Sequence, residues 1–171
     1  VTPGNPKYIL ARAQINIESL DYTRAIDDAN TVLNKNPDSI PARLVIAKAF
    51  ILTSAEEEAE TQLEEIAKRG EVAEYYKLRG MLAKRRGNDE EAKKDYEKFF
   101  QMAGGIPASA FEYAEFLESI DGGAADAEAV YRAILKRYPE SLFAEKSKEG
   151  LSRLGSSSYI PSPSDTDSVE Q

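Results

Sequence analysis

Small and apolar residues recur along this chain in registers that drift together. Ala25, Ala59, Ala92 and Ala127 lie 34, 33 and 35 residues apart. The same step carries Ala29 to Leu63, Tyr96 and Tyr131, and Val32 to Ile66, Phe99 and Ile134. Upstream, Ala13, Ala47, Gly80 and Ala114 follow at 34, 33 and 34. Within each period the apolar positions keep the spacing that gathers side chains on one face of an α-helix. A period near 34 made of helical segments describes stacked helix pairs. One pair cannot bury its own apolar face, whereas four stacked pairs can.

Turn residues divide each period in two. The first pair is predicted at 6–20 and 22–34, with Asp21 as N-cap and Asn36-Pro37 as the stop. The second is predicted at 41–52 and 55–69, with Ser54 and Glu57 as a capping box and Gly70 closing the helix. The third runs over 72–86 and 89–102, with Gly87-Asn88 at its turn and Gly104-Gly105 at its end. The fourth runs over 107–120 and 124–138, and its turn Asp121-Gly122-Gly123 carries the extra residue that stretches the last spacing. A capping helix is predicted at 142–154, with Leu142, Phe143, Leu151 and Leu154 facing the stack and Glu145, Lys146, Lys148 and Glu149 facing water. The domain plan is therefore an extension at 1–5, repeats at about 6–39, 40–72, 73–106 and 107–141, the cap, and a tail at 155–171 rich in Ser, Pro and Asp. That tail reads as a linker or flexible end.

Composition narrows the classes of function. A formal net charge of −8 argues against broad nucleic-acid binding, which relies on clustered Lys and Arg. No apolar run approaches the ~20 residues needed to cross a bilayer. No secretory leader opens the sequence, which begins at Val1, so it reads as a mature form or a piece of a longer protein. With no His and no Cys, the commonest general base and the strongest nucleophile are missing. No Gly-rich phosphate loop occurs, and the acidic runs at Glu56–Glu58, Glu64-Glu65 and Asp89–Glu91 fit helix first turns and solvated faces. The Asp121, Asp126, Glu128 spacing matches no calcium loop. The chain is expected not to be an enzyme and to need no cofactor and no metal.

These residues resemble a tetratricopeptide-repeat array over about 6–154. The third repeat carries the resemblance best, through Tyr76, Arg79-Gly80, Gly87-Asn88, Ala92, Tyr96 and Phe99. The first repeat adds Ala13, Tyr22, Ala25, Ala29 and Asn36-Pro37, and the last adds Tyr131 and Tyr138-Pro139-Glu140-Ser141. The family's early Trp is absent throughout, and the second repeat lacks a terminal Pro. The resemblance implies an all-α, right-handed superhelical solenoid of antiparallel helix pairs. The Tyr138-Pro139-Glu140-Ser141 boundary, followed by Phe143-Ala144, is similar to repeats of bacterial envelope proteins. It implies a periplasmic or envelope setting within a larger envelope or secretion assembly, which a cysteine-free chain fits without requiring it.

In such arrays the first helix of each pair lines the concave side. By register, the resemblance then implies a groove formed by Lys7, Leu10, Gln14, Leu44, Lys48, Ile51, Lys77, Met81, Lys84, Phe111 and Glu115. The expected partner is a protein or peptide segment with apolar anchors and acidic groups: the anchors supply the energy and the lysines orient. The third first-helix stands out, since Lys77, Arg79, Lys84, Arg85 and Arg86 face only Glu74. The clamp with which chaperone-binding members hold a C-terminal carboxylate is absent, its places being taken by Leu10, Gln14, Val45, Glu74 and Leu78. An alternative is a structural solenoid segment that self-associates through its ends, for which Tyr8, Ile9, Ile15 and Ile17 on more than one side of the first helix are the sign. A smaller expectation is that Tyr159-Ile160-Pro161, followed by Asp165 and Asp167, occupies the groove.

Overall fold

The protein is described by a computed structural model over residues 4–156. Nine helices and no strand occur among the described residues. They are α1 (Pro6–Glu18), α2 (Tyr22–Leu33), α3 (Ile40–Leu52), α4 (Glu56–Ala67), α5 (Ala73–Arg85), α6 (Asp89–Met102), α7 (Pro107–Glu118), α8 (Ala124–Arg137) and α9 (Leu142–Arg153). All nine predicted helices are present, most of them a residue or two shorter than predicted. Two compact units divide the chain, the first ending at Phe99 and the second beginning at Phe100.

The turn inside each pair explains the shorter helices and corrects one cap. Leu20, Ser54, Gly87 and Gly122 occupy the same place after the first helix, and all have positive φ, at 61°, 63°, 76° and 74°. This left-handed residue ends the first helix, and the residue after it begins the second. Asp21 is accordingly the N-cap of α2, its carboxylate accepting from the Arg24 N–H at 3.1 Å. Ser54 cannot cap α4, because it sits in the left-handed place; Ala55 is the N-cap and contributes no side-chain hydrogen bond. The predicted Ser54–Glu57 capping box is therefore not formed. Gly123 holds the corresponding place before α8, where a Cβ would lie 2.0 Å from the Leu117 carbonyl oxygen.

In the first unit the repeating alanines do what their register predicts. Ala13, Ala25, Ala29, Ala47, Ala59 and Ala92 are fully buried, which lets backbones approach closely. Gly80 belongs to the same series, and a Cβ there would come within 2.7 Å of the Tyr96 ring. Ile9, Ile17, Val32, Val45 and Ile46 fill the space around the first alanines, helped by Leu10, Tyr22, Ile26, Leu33 and Phe50. Each such buried aliphatic side chain is worth about 1.5–3 kcal/mol.

The second unit is built on Tyr131, whose fully buried ring is overlaid by Gly150, where a Cβ would lie 2.6 Å from the ring. The cap faces inward through Ala144, Ser147, Gly150 and Leu151. Leu142, expected on that face, is 69% exposed instead, because the inward stripe begins two residues later at Ala144. The extension begins with residues 1–3 outside the described residues, and Asn5 caps α1 by accepting from the Lys7 N–H. Residues 157–171, with the Tyr159-Ile160-Pro161 segment, also lie outside the described residues.

Candidate functional site

In the first unit, the three first helices α1, α3 and α5 carry most of the expected groove. Leu10, Gln14, Leu44, Lys48, Lys77, Met81 and Lys84 are all half-buried, and Lys7 is exposed. Ile51 is 1% exposed and belongs to the core. α3 is apolar on every side, so periodicity alone does not separate its surface positions from its buried ones.

Charge pairing redraws the basic third first-helix. Lys77 Nζ lies 2.9 Å from Glu74 and 5.3 Å from the Phe99 ring centroid. Arg79 forks onto Asp95, with Nε donating to Oδ2 at 2.7 Å and Nη2 donating to Oδ1. Arg86 reaches back to Glu56 and Glu60 of α4, and Arg85 donates to the Ser54 hydroxyl. Most of the excess positive charge on α5 is thus neutralised within its own unit. Lys48, by contrast, has no ion-pair partner among the described residues.

The Arg79–Asp95 fork has a counterpart in the first pair. Arg12 donates through Nε and Nη2 to the two oxygens of Asp28 at 2.9 and 2.6 Å, and Asn16 adds a third donor at 3.2 Å. Both aspartates are buried, Asp28 at 8% and Asp95 at 2% exposure, which is tolerable because each is paired bidentately. In the second pair the same places hold Ile46 and Gln62. There Arg43, one turn earlier on α3, donates to the Gln62 carbonyl at 3.1 Å, and its own Nε is buried without a partner. Sequence reasoning missed these forks. The signal was available, since a 67-residue step takes Arg12 to Arg79 and Asp28 to Asp95.

In the second unit the expected site residues part company. Phe111 is 7% exposed and lies between Tyr131 and Phe143, 5.7 Å from each ring centroid. Lys146 sits over both Phe111 and Phe143, at 5.7 and 5.4 Å. Glu115 is exposed, and partial desolvation of its carboxyl pushes its pKa up against the pull of Arg153 and Lys146. One turn on, Glu118 is tied to Arg153 at 2.8 and 2.9 Å and accepts from the Tyr131 hydroxyl at 2.8 Å. Those bonds, the Arg153 one first, hold its pKa below the ordinary value. A separate apolar pocket of about 270 Å³ lies between α7 and α8, lined by Phe100, Ala110, Val130, Ala133, Ile134 and Tyr138 among others.

Chemically, these surfaces offer apolar contact and charged hydrogen bonding. No cluster of metal-ligating side chains occurs among the described residues, and no helix there is long and apolar enough to cross a membrane.

No protein-family model matches the sequence, and no curated protein matches it. Solved structures do match in fold. The thermophilic TPR protein TTC0263 of Thermus thermophilus superposes with a TM-score of 0.75 at 17% identity, over 88% of this chain and 83% of that one. Naa15/Naa10 bound to HypK-THB gives a TM-score of 0.67 at 18% identity, over 92% of this chain and 26% of the other. YrrB, described as a TPR protein with an unusual peptide-binding site, gives 0.52 at 12% identity, over 89% of this chain and 79% of that one. With paired helices at a period near 34 and these neighbours, the chain has the all-α fold of the tetratricopeptide-repeat proteins.

Proposed function

We propose that the protein is a non-enzymatic scaffold that binds a protein segment along its first helices. The reading rests on one observation: two registers a turn apart on α1, α3 and α5, Leu10, Leu44 and Lys77 in one and Gln14, Lys48 and Met81 in the other, are half-buried throughout, and no described residue neutralises the charge of Lys48. A ligand segment with apolar anchors and a carboxylate matches that chemistry, the anchors supplying most of the binding energy. Lys7, Gln14, Lys77 and Lys84 flank the apolar positions. Ile51 and Phe111 serve as core support, and Glu115 stands on the matching helix of the second unit. The peptide-binding site named for YrrB, and the HypK bound by Naa15/Naa10, support a binding role for such a fold without carrying their ligands to this chain. A bacterial envelope setting rests on the Tyr138-Pro139-Glu140-Ser141 boundary alone.

The test is affinity capture from source-organism fractions with the parent chain and with Lys48→Glu and Leu44→Glu variants. A protein retained by the parent and lost by both variants, whose melting curves stay close to the parent's, is the expected result. Identical retention by all three baits would remove the groove from consideration.

A further inference from the structure

The chain leaves its last helix tied down at two points. Gly155, at φ 72°, turns it out of α9, and the Ser156 N–H donates to the Leu151 carbonyl at 2.8 Å. The Ser156 hydroxyl donates to Glu128 Oε2 on α8 at 2.7 Å, while Arg132 holds Oε1 of the same carboxylate at 2.8 and 3.0 Å. The next residue of α8, Ala129, begins the lining of the apolar pocket described above. Ala129 and Ala133 are exposed there, Val130 is half-buried, and Ala110 and Ile134 are buried. At about 270 Å³ the pocket falls below the ~300–1,000 Å³ of small-molecule sites and suits one or two side chains. Arg137 lines it from the last turn of α8, with exposed Lys136 beside it. Neither cation has an ion-pair partner among the described residues.

We propose that this pocket takes Tyr159 and Ile160 of the chain's own C-terminal segment, with Asp165 and Asp167 set against Arg137 and Lys136. Residues 157–171 hold three large apolar side chains, Tyr159, Ile160 and Val169, together with Asp165, Asp167 and Glu170 and no Lys or Arg. Reach is sufficient. Crossing one helix width of about 10 Å takes three extended residues, which is the step from Ser156 to Tyr159. From Val130 to Arg137 the axis of α8 advances by roughly 10 Å, and a path through Pro161 and Pro163 at about 3.1 Å per residue carries Asp165 that far. Charge sets the direction. The start of α8, with Asp126 and Glu128, meets the neutral Ser156-Ser157-Ser158, and its end, with Lys136 and Arg137, meets the acids. Tethering favours the chain's own segment over a free partner, because a short linker holds it at an effective concentration in the mM range. The groove expected for this segment from sequence is built from first helices, whereas Ser156 is bound to α8, a second helix. Pocket and groove share no residue, so the proposal does not depend on the scaffold reading.

The test compares methyl NMR spectra of the full chain with those of a chain stopped after Ser156. The expected result is that truncation shifts the methyls of Ala129, Val130, Ala133 and Ile134. A synthetic peptide of residues 156–171, added to the stopped chain, should restore those shifts with a Kd in the mM range. Lys136→Glu with Arg137→Glu should weaken the peptide at least about threefold. In the full chain, Ala133→Glu should return the Tyr159 and Ile160 signals to their free-peptide positions. Ala133 is exposed, so this variant should keep the parent's melting curve. Pocket methyls indifferent to truncation, or Tyr159 and Ile160 signals indifferent to Ala133→Glu, overturn the proposal. So do shifts that appear at Leu10, Leu44 and Met81 instead, which would put the segment in the groove. Shifts that fade on dilution also overturn it, since they would make another copy's tail the occupant.

Discussion

The first and second helix pairs solve one packing problem in opposite ways. The α1/α2 pair buries a carboxylate, Asp28, and spans the helices with a forked arginine. The α3/α4 pair puts Ile46, 3% exposed, in the place of that arginine and Gln62 in the place of the aspartate. α5/α6 returns to the ionic solution with Arg79 and Asp95. The helix pair as a unit accepts either, provided the buried polar group is answered by a partner. The difference lies in what a single substitution does to each. An apolar contact weakens gradually, whereas half of a buried ion pair is worse than none.

The largest expected effect follows from that asymmetry. Asp95→Ala leaves Arg79 beside an apolar floor and should cost about 3–5 kcal/mol in urea or thermal unfolding. Asp28→Ala should cost only about 1 kcal/mol, because the Arg12 side chain is 67% exposed and water can replace its partner. Equal losses would break the distinction between the two forks.

The second test moves one solution into the other's place. Ile46→Arg buries a guanidinium without its aspartate and should cost about 3 kcal/mol. Adding Gln62→Asp should recover at least half of that loss in a double-mutant cycle. No recovery would mean that the ionic pairs depend on more than these two positions.

The periodicity displays the helices, their order and the buried alanines because those depend on which residues must approach closely, and close approach leaves a mark at every repeat. Charge pairing is less legible. The five cations at Lys77, Arg79, Lys84, Arg85 and Arg86 look like an open basic face in one dimension. Yet Glu56, Glu60 and Asp95, 16 to 30 residues away, fold against Arg86 and Arg79. Ser54 misled for a similar reason. Its residue type favours an N-cap, but the repeat register had already assigned that place to a left-handed turn.

That turn supplies the smallest prediction. The third and fourth pairs place Gly87 and Gly122 there, while the first places Leu20, 72% exposed and held at φ 61°. Leu20→Gly should stabilise by about 0.5–1 kcal/mol, as relief of the left-handed backbone exceeds the entropy lost by glycine. A neutral or destabilising result in a thermal melt would show that Leu20 contributes contacts its exposure does not suggest.

The alternation of Ala42 and Ala49 with Tyr75 and Leu82 has a consequence for how such a chain can grow or shrink. α2 is shaped to meet small residues on α3, and α4 to meet large ones on α5. Removing a single 34-residue module would set α2 against tyrosine and leucine side chains where it now packs in one cluster with Ala42 and Ala49. Two modules on from the first, the chain returns to Tyr75 and Leu82 where the first has Tyr8 and Ile15, and to Arg79 and Asp95 where the first has Arg12 and Asp28. Within the first unit the module that fits next to a given seam is therefore set by its neighbours at 67 residues, as Tyr8 is matched by Tyr75, although the sequence repeats at half that length.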